Sequence, residues 1–217
     1  MKKIGLGIGI AVLIILAVIF SLKDTEKKQV IELGQLQEKV TQQLSQMQAN
    51  GFTVDDRQMQ KEKEHFFITI VEPEPASAYL TQRGLRITPE KAEELKDLKF
   101  SVALLYLDDI FSLDIYPVAL PPYLKNVIAK ENEANILAQL EELIKRKVFF
   151  MHIELDHEGT TFKGHIKDID ETLQDEKAVK MQLLGLHFSG NIKEEKIVKF
   201  EQTFKRAHLY ISGEVDE

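Results

Sequence analysis

The chain has 217 residues, with 28 basic and 35 acidic side chains, a formal net charge of −7 and no cysteine. The acidic balance argues against a nucleic-acid partner, because phosphates select basic surfaces. The absence of cysteine excludes disulfides, thiol catalysis and lipid attachment through cysteine, so the hydrophobic core must hold the fold by itself.

The first feature along the chain is an uncharged run of 19 residues at positions 4–22, with lysines on both sides. A helix of that length measures about 28 Å, close to the ~30 Å hydrocarbon core of a bilayer. The pattern predicts a single-pass anchor with residues 1–3 in the cytoplasm. A cleaved signal peptide is the alternative, but its apolar region is usually about 7–15 residues long, and residues 19–21 lack the small residue that starts a cleavage site.

Residues 24–49 are rich in helix formers and predict an amphipathic linker helix that stops at Asn50–Gly51. The apolar residues follow a heptad pattern: Val30, Leu33, Val40, Leu44 and Met47. Packing of this helix against its own domain is the favoured arrangement. A coiled-coil dimer is the alternative, and Gln37 interrupts its seam.

Residues 50–217 predict a β-rich domain beyond the membrane. Alternating apolar and polar residues predict strands within 51–60, 64–73, 99–107 and 111–120. Helices are predicted within 75–84, from Pro89 with Thr88 as the N-cap, and over 131–146. Pro121–Pro122 ends the fourth strand.

The last third of the chain is strand-rich, with alternation over residues 147–156, 160–169, 178–192 and 204–215. Residues 193–203 fit a helix or a strand equally well. Hairpin-linked strands with two or three helices predict an α+β fold built on a mostly antiparallel sheet.

His152, Glu154 and Asp156 occupy every second position of a predicted strand, so they share one face, and His165 across the turn could join them. Imidazole and carboxylate groups together are a ligand set for a divalent metal. The solvated face of an amphipathic strand gives the same alternation without any ligand, and this interpretation is favoured.

Two acidic clusters are weaker candidates. Asp168, Asp170 and Glu171 carry oxygens that suit a hard cation, but their segment lacks the glycine and spacing of a calcium loop and is predicted to be a polar turn. Asp108 and Asp109 could act as acid and base, yet Asp is ordinary turn chemistry between two apolar strands. The sequence therefore assigns no catalytic, cofactor-binding or metal-ligating residue and implies no cofactor.

Two segments are candidates for protein partners. Tyr116–Pro117 and residues 120–123 form an aromatic and proline cluster that could dock in a partner's groove, although such a segment more often ends a strand and covers a sheet. Gly5 and Gly9 form a small-residue pair in the membrane span, which would let two helices approach in a homodimer.

Three stretches, NGFTVDDRQMQKEKEHFFITI, LDIYPVALP and FKGHIKDIDETL, give the chain a resemblance to bacterial proteins of the DUF945 (YdgA-like) family. The order of the parts is also similar: a short basic start, a membrane span and a β-rich exported region. The resemblance implies a periplasmic protein anchored in the inner membrane, and it supplies no catalytic residues.

These features favour a binding or scaffold module of the cell envelope and not an enzyme. The alternative is a carrier of lipid or another hydrophobic ligand, because the segments FFITIV and VALLYL carry apolar side chains on both faces. A pilin-like subunit is disfavoured because Asp24, the first acidic residue, follows the apolar run. A hydrolase is disfavoured because no G-x-S-x-G elbow occurs.

Overall fold

A computed structural model describes residues 33–83, 85, 87–107, 110–130, 134–156, 160–174, 178–193 and 196–211. The helices are α1 (Leu33–Gln48), α2 (Pro73–Gln82), α3 (Pro89–Glu94), α4 (Pro122–Lys130) and α5 (Ala134–Lys145). The strands are β1 (Phe52–Met59), β2 (Lys63–Ile70), β3 (Lys99–Tyr106), β4 (Ile110–Pro117), β5 (Met151–Asp156), β6 (Thr161–Ile166), β7 (Ile169–Leu173), β8 (Val179–Leu184), β9 (His187–Lys193), β10 (Lys196–Thr203) and β11 (Arg206–Ile211).

The strands form two antiparallel sheets. Eight strands pair in the order β1-β2-β3-β4-β5-β6-β9-β10, and three pair in the order β11-β8-β7. The α+β class and the antiparallel sheet predicted from the sequence are confirmed. Beyond the linker helix, the described residues contain four helices, one more than the upper end of the predicted two or three.

The two sheets are joined by one long hairpin. Its first arm is β8 followed by β9, and its second arm is β10 followed by β11; the pairing keeps one register from Lys199↔Asn191 to Ile211↔Val179. Gly185 lies at the junction with a φ of +62°, and a Cβ there would come within 2.9 Å of Lys205 Cγ. The glycine therefore permits the bend at which the hairpin passes from one sheet to the other.

One face of the large sheet is buried. On β2, Phe66, Ile68 and Ile70 are at most 1% exposed, whereas the side chains between them, Phe67 and Thr69, are half-buried. The buried side chains of the strands and helices form one hydrophobic core. This alternation gives the sheet one dry face and one wetter face.

Helix α1 packs into this core. Val40, Leu44 and Met47, three residues of the predicted heptad pattern, are 7%, 2% and 0% exposed. The polar Gln37 donates a hydrogen bond from Nε2 to the backbone oxygen of Lys61 at 3.1 Å. Of the two arrangements considered for this helix, the structure shows packing against its own domain over residues 33–48.

A buried ionic network joins α1 to three strands. Glu64 of β2 is 1% exposed and pairs with the guanidinium of Arg57 on β1. Its other carboxylate oxygen accepts a 2.7 Å hydrogen bond from the hydroxyl of Tyr106 on β3, and Arg57 Nη2 donates to Thr41 Oγ1 of α1 at 2.7 Å. Burial, with the hydrogen bond to Glu64, raises the pKa of Tyr106, so this hydroxyl stays a donor at all ordinary pH values.

Two local predictions are corrected. Residues 122–130, which the sequence marked only as the end of a strand, form α4, and Pro122 at its first position suits a helix start. The segment predicted to be a polar turn contains β7, whose end residues Ile169 and Leu173 are buried. The strand was not recognised from the sequence because its central residues are polar and only its two end residues face the core.

The predicted membrane anchor at residues 4–22, with Gly5 and Gly9, lies outside the described residues, as do residues 24–32 of the linker helix and Asp108–Asp109. Among the helices of the described ranges, none is both long enough and apolar enough to cross a bilayer.

Candidate binding groove on the open sheet face

The open face of the large sheet carries a line of titratable side chains in direct register. Asp114 of β4 is paired with His152 of β5, which is paired with His165 of β6, which is paired with His187 of β9. Residues paired across antiparallel strands point to the same side of the sheet. We call His152, His165 and His187 the histidine row.

Neighbouring rings of the histidine row are close. The ring centroids of His152 and His165 are 5.3 Å apart, and those of His165 and His187 are 6.0 Å apart. Among the described residues, no hydrogen bond joins the ring of His165 or His187 to another group. These two imidazoles are therefore available to a ligand.

Asp114 fixes the orientation of the first ring in the row. Its Oδ1 lies 2.7 Å from His152 Nδ1. An ionised carboxylate can only accept a hydrogen bond, so the Nδ1 proton of His152 is the donor. The second ring nitrogen, Nε2, lies 3.5 Å from Glu154 Oε1, at the outer limit of a hydrogen bond.

Glu154 has a stronger partner than His152. Lys163 of β6 places its Nζ 2.8 Å from Glu154 Oε2. The hydrogen bond from Lys163, with a smaller contribution from His152, holds the pKa of Glu154 below its ordinary value. Glu154 is therefore ionised at neutral pH and lies beside the histidine row.

The central ring of the row resists protonation. Desolvation on the sheet face lowers the pKa of His165, and repulsion from His152 and His187 lowers it further. The carboxylates of Asp114 and Glu154 act in the opposite direction but are outweighed. At neutral pH His165 is therefore a neutral imidazole.

These groups line a groove of about 880 Å³ that runs over β5, β6, β9 and β10. Besides the histidine row, its polar lining consists of Glu154, Lys163, Ser189, Glu201, Gln202 and Thr203. A second cavity of about 370 Å³ lies over β1 to β4, and Asp114 and His65 belong to its lining. Asp114 thus lies between these two cavities.

The structure brings together part of the metal set considered from the sequence. His152, Glu154 and His165 meet at the groove. Asp156 does not join them, because its carboxylate accepts hydrogen bonds from the backbone and hydroxyl groups of Thr160 and Thr161 at 2.6–3.1 Å. Burial acts to raise the pKa of Asp156, but these hydrogen bonds outweigh it and hold the pKa below its ordinary value.

The other acidic cluster does not converge. Asp168 accepts a hydrogen bond from the backbone nitrogen of Gly185 at 2.6 Å, Asp170 accepts from Gln182 at 3.0 Å, and Glu171 pairs with Arg146 at 2.8 Å. Across the described ranges, no three His, Asp or Glu side chains are already placed around one metal ion.

Tyr116 of the aromatic and proline cluster stacks on Phe150 with ring centroids 6.5 Å apart, and Lys147 Nζ lies 4.3 Å from its ring centroid. Leu120 packs against the hydrophobic core. This segment ends β4 and leads into α4, which agrees with the structural interpretation of the cluster; partner docking there stays a prediction.

Sequence reasoning missed Asp114 and His187. Asp114 lies between the apolar Leu113 and Ile115, a pattern that is typical of the wetter face of a strand, but only the register shows that it lies beside His152. His187 lies in a segment predicted as one long strand, and the bend at Gly185 separates the two strands that this segment forms.

The fold and the groove define an α+β protein whose large antiparallel sheet has one face in the core and the other open. No family model, no curated protein and no solved structure matches the chain. Membership of the DUF945 family therefore stays a prediction from the resemblance.

Proposed function

We propose that this is a single-pass inner-membrane protein whose periplasmic domain is a binding module of the cell envelope, and that the groove on the open sheet face is its ligand-binding surface. The location rests on the uncharged run at residues 4–22 and its flanking lysines. The observation that carries the binding function is the in-register histidine row in a groove of about 880 Å³.

The groove has the chemistry of a recognition surface. The side chain of His152 is 24% exposed and that of Glu154 is 28% exposed, so both polar groups have given up much of their hydration. Two further imidazoles are available beside them. Partly desolvated polar groups that converge in a concave site are typical of a surface that fixes the orientation of a ligand.

The packing of the apolar strands gives little support to the alternative of a lipid carrier. Such a carrier needs an apolar cavity, whereas Phe66, Ile68 and Ile70 of FFITIV pack in the closed core. On the open face, Phe67 contacts His65 edge to face at 5.0 Å and lies 4.6 Å from Lys99 Nζ. The apolar pattern on both faces of β2 therefore has an explanation without a lipid.

Site-specific photo-cross-linking in the full-length chain tests the proposal. A photoreactive phenylalanine analogue at Ser189, in the groove, is expected to trap a discrete partner in native membranes. The same analogue at Thr172, an exposed position on β7, is the matched control. The product should disappear in the His165→Ala background.

Identical products from both positions, or none from Ser189, would refute the groove as the ligand-binding surface. A product from Ser189 that contains lipid and no protein would instead favour the carrier.

A further inference from the structure

We propose that the histidine row binds a divalent d-block cation, of the Zn²⁺, Ni²⁺ or Cu²⁺ type, through His165 and a neighbouring imidazole. This inference deepens the proposed function, on whose groove it rests. It goes beyond the sequence candidate because Asp114 and His187 enter the site and Asp156 leaves it.

The ring spacing fits a shared ion. Two imidazoles on one tetrahedral ion, each bound at the usual ~2.0–2.1 Å, have ring centres about 5 Å apart. The centroids of His152 and His165 are 5.3 Å apart, which matches this spacing. His187, at 6.0 Å from His165, is the alternative partner of the same central ring.

The orientation of His152 is that of a metal ligand with a supporting carboxylate. Asp114 accepts the Nδ1 proton at 2.7 Å, so Nε2 is left as the coordinating nitrogen. Ligating histidines in proteins almost always donate their other ring nitrogen to a carboxylate, a backbone carbonyl or water, which sets the tautomer and the ring orientation. Asp114 is thus a positioning residue for His152.

The charge of the groove selects a cation. With its imidazoles neutral, the lining carries Lys163 against Glu154 and Glu201, with Asp114 at its edge, and Lys199 pairs with Glu201 at 3.0 Å. The balance of these groups is still negative by one charge, which favours a cation over an anion. Imidazole ligands suit zinc, copper and nickel, whereas calcium and magnesium prefer sets made only of oxygen ligands.

The site supplies two protein ligands and does not complete the coordination sphere of the ion. In the described part of the chain no third His, Asp or Glu already completes a metal site around one point. Water, or a group of the bound partner, would fill the remaining positions. A site with open positions suits an ion that bridges the groove to its ligand.

Isothermal titration calorimetry tests the inference. The full-length, untagged protein in detergent is titrated with Zn²⁺, Ni²⁺ or Mg²⁺. One equivalent of Zn²⁺ or Ni²⁺ should bind, and Mg²⁺ should not. His165→Ala should weaken binding at least about tenfold. Asp114→Asn should weaken it by about 10–100-fold when His152 is the second ligand, the range seen when a supporting partner of a ligand is removed, and should leave it unchanged when His187 is that ligand. His208→Ala, on β11 and outside the row, is the matched control and should leave the affinity unchanged.

The spectrum of bound Cu²⁺ provides a second readout, which would not change if His165 had only a structural role. The electron paramagnetic resonance spectrum should show coupling to two imidazole nitrogens, and His165→Ala should remove one or both. In the presence of EDTA, His165→Ala and Asp114→Asn should have the same Tm as the wild type. This control separates loss of the metal site from loss of the fold.

Equal affinity in His165→Ala and the wild type, or an equal loss in His208→Ala, would overturn the inference. Because the titration uses the metal alone, its failure leaves the cross-linking result at Ser189 untouched. A groove that binds the metal but traps no partner would reject the proposed function instead.

Discussion

Replacing Glu64 by glutamine should destabilise the protein strongly, although the two side chains have nearly the same shape. The carboxylate accepts from Arg57 with one oxygen and from the hydroxyl of Tyr106 with the other, at a site that is 1% exposed. Glutamine keeps one acceptor oxygen for Arg57, and its NH₂ group can only donate to the Tyr106 hydroxyl, which must then turn to accept. The hydrogen bond from Tyr106 to a charged acceptor is lost, and the charge opposite the guanidinium disappears.

The size of the effect follows from those two contacts. Hydrogen bonds to charged groups contribute roughly 1.5–3 kcal/mol each, and breaking a buried ion pair from one side costs about 3–5 kcal/mol. We expect a loss of about 3 kcal/mol for Glu64→Gln. Since a chain of this size loses roughly 2–4 °C of Tm per kcal/mol, the shift should be about 6–12 °C.

Thermal unfolding followed by circular dichroism, on the full chain in detergent, measures this shift. Tyr106→Phe removes only one of the two contacts and should cost about 1.5 kcal/mol. Glu141→Gln breaks an exposed ion pair with Lys125 and should leave the Tm unchanged. If Glu64→Gln melts within 2 °C of Glu141→Gln (about 1 kcal/mol or less), the network has no energetic weight and the reasoning is wrong.

Gly164→Ala should cost about 1–3 kcal/mol in denaturant unfolding, because a Cβ there would lie 2.5 Å from the Phe188 ring. Gly34→Ala in α1, with nothing within 4 Å, should be neutral or stabilising, and equal effects at both glycines would contradict the packing. The NMR titration of His165 should have its midpoint below the ordinary value of about 6.5. As the pH falls, the unfolded chain therefore takes up this proton before the folded protein does. The wild type should accordingly lose free energy of unfolding relative to His165→Ala on acidification through about 6.5. A steeper loss in the variant would contradict the direction of the pKa shift. Thr172→Cys gives the chain a single thiol, which an impermeant maleimide should label in cells with a permeabilised outer membrane; labelling only after lysis would place the domain in the cytoplasm.

The strands with clear alternation were predictable from the sequence because a half-buried strand repeats every two residues. Thr88 and Pro89 likewise marked the start of α3, and the Thr88 side chain accepts from the backbone nitrogen of Lys91. These signals are local. They depend on a few adjacent residues and on nothing that happens elsewhere in the chain.

The candidate site was less predictable because pairing between strands is not local. Asp114 and His152 are 38 positions apart in sequence, and only the register of β4 and β5 brings their side chains to 2.7 Å. Asp156 shares a face with His152 in the sequence pattern, yet its carboxylate accepts hydrogen bonds from Thr160 and Thr161. Periodicity predicts which face of a sheet a side chain lies on, but not which residue of the neighbouring strand lies beside it.

The long hairpin of β8–β9 and β10–β11 means that the groove cannot form before β10 has been synthesised. Three of its lining residues, Glu201, Gln202 and Thr203, belong to β10, so the chain must have left the ribosome past Thr203 before that wall can form. Both sheets also share one register along the hairpin, yet the described residues of its second arm are exposed at almost every position. A slip of one residue in that arm would exchange the side chains that face the groove and leave the buried core in place. The register of β10 therefore matters more for the groove than for the stability of the fold.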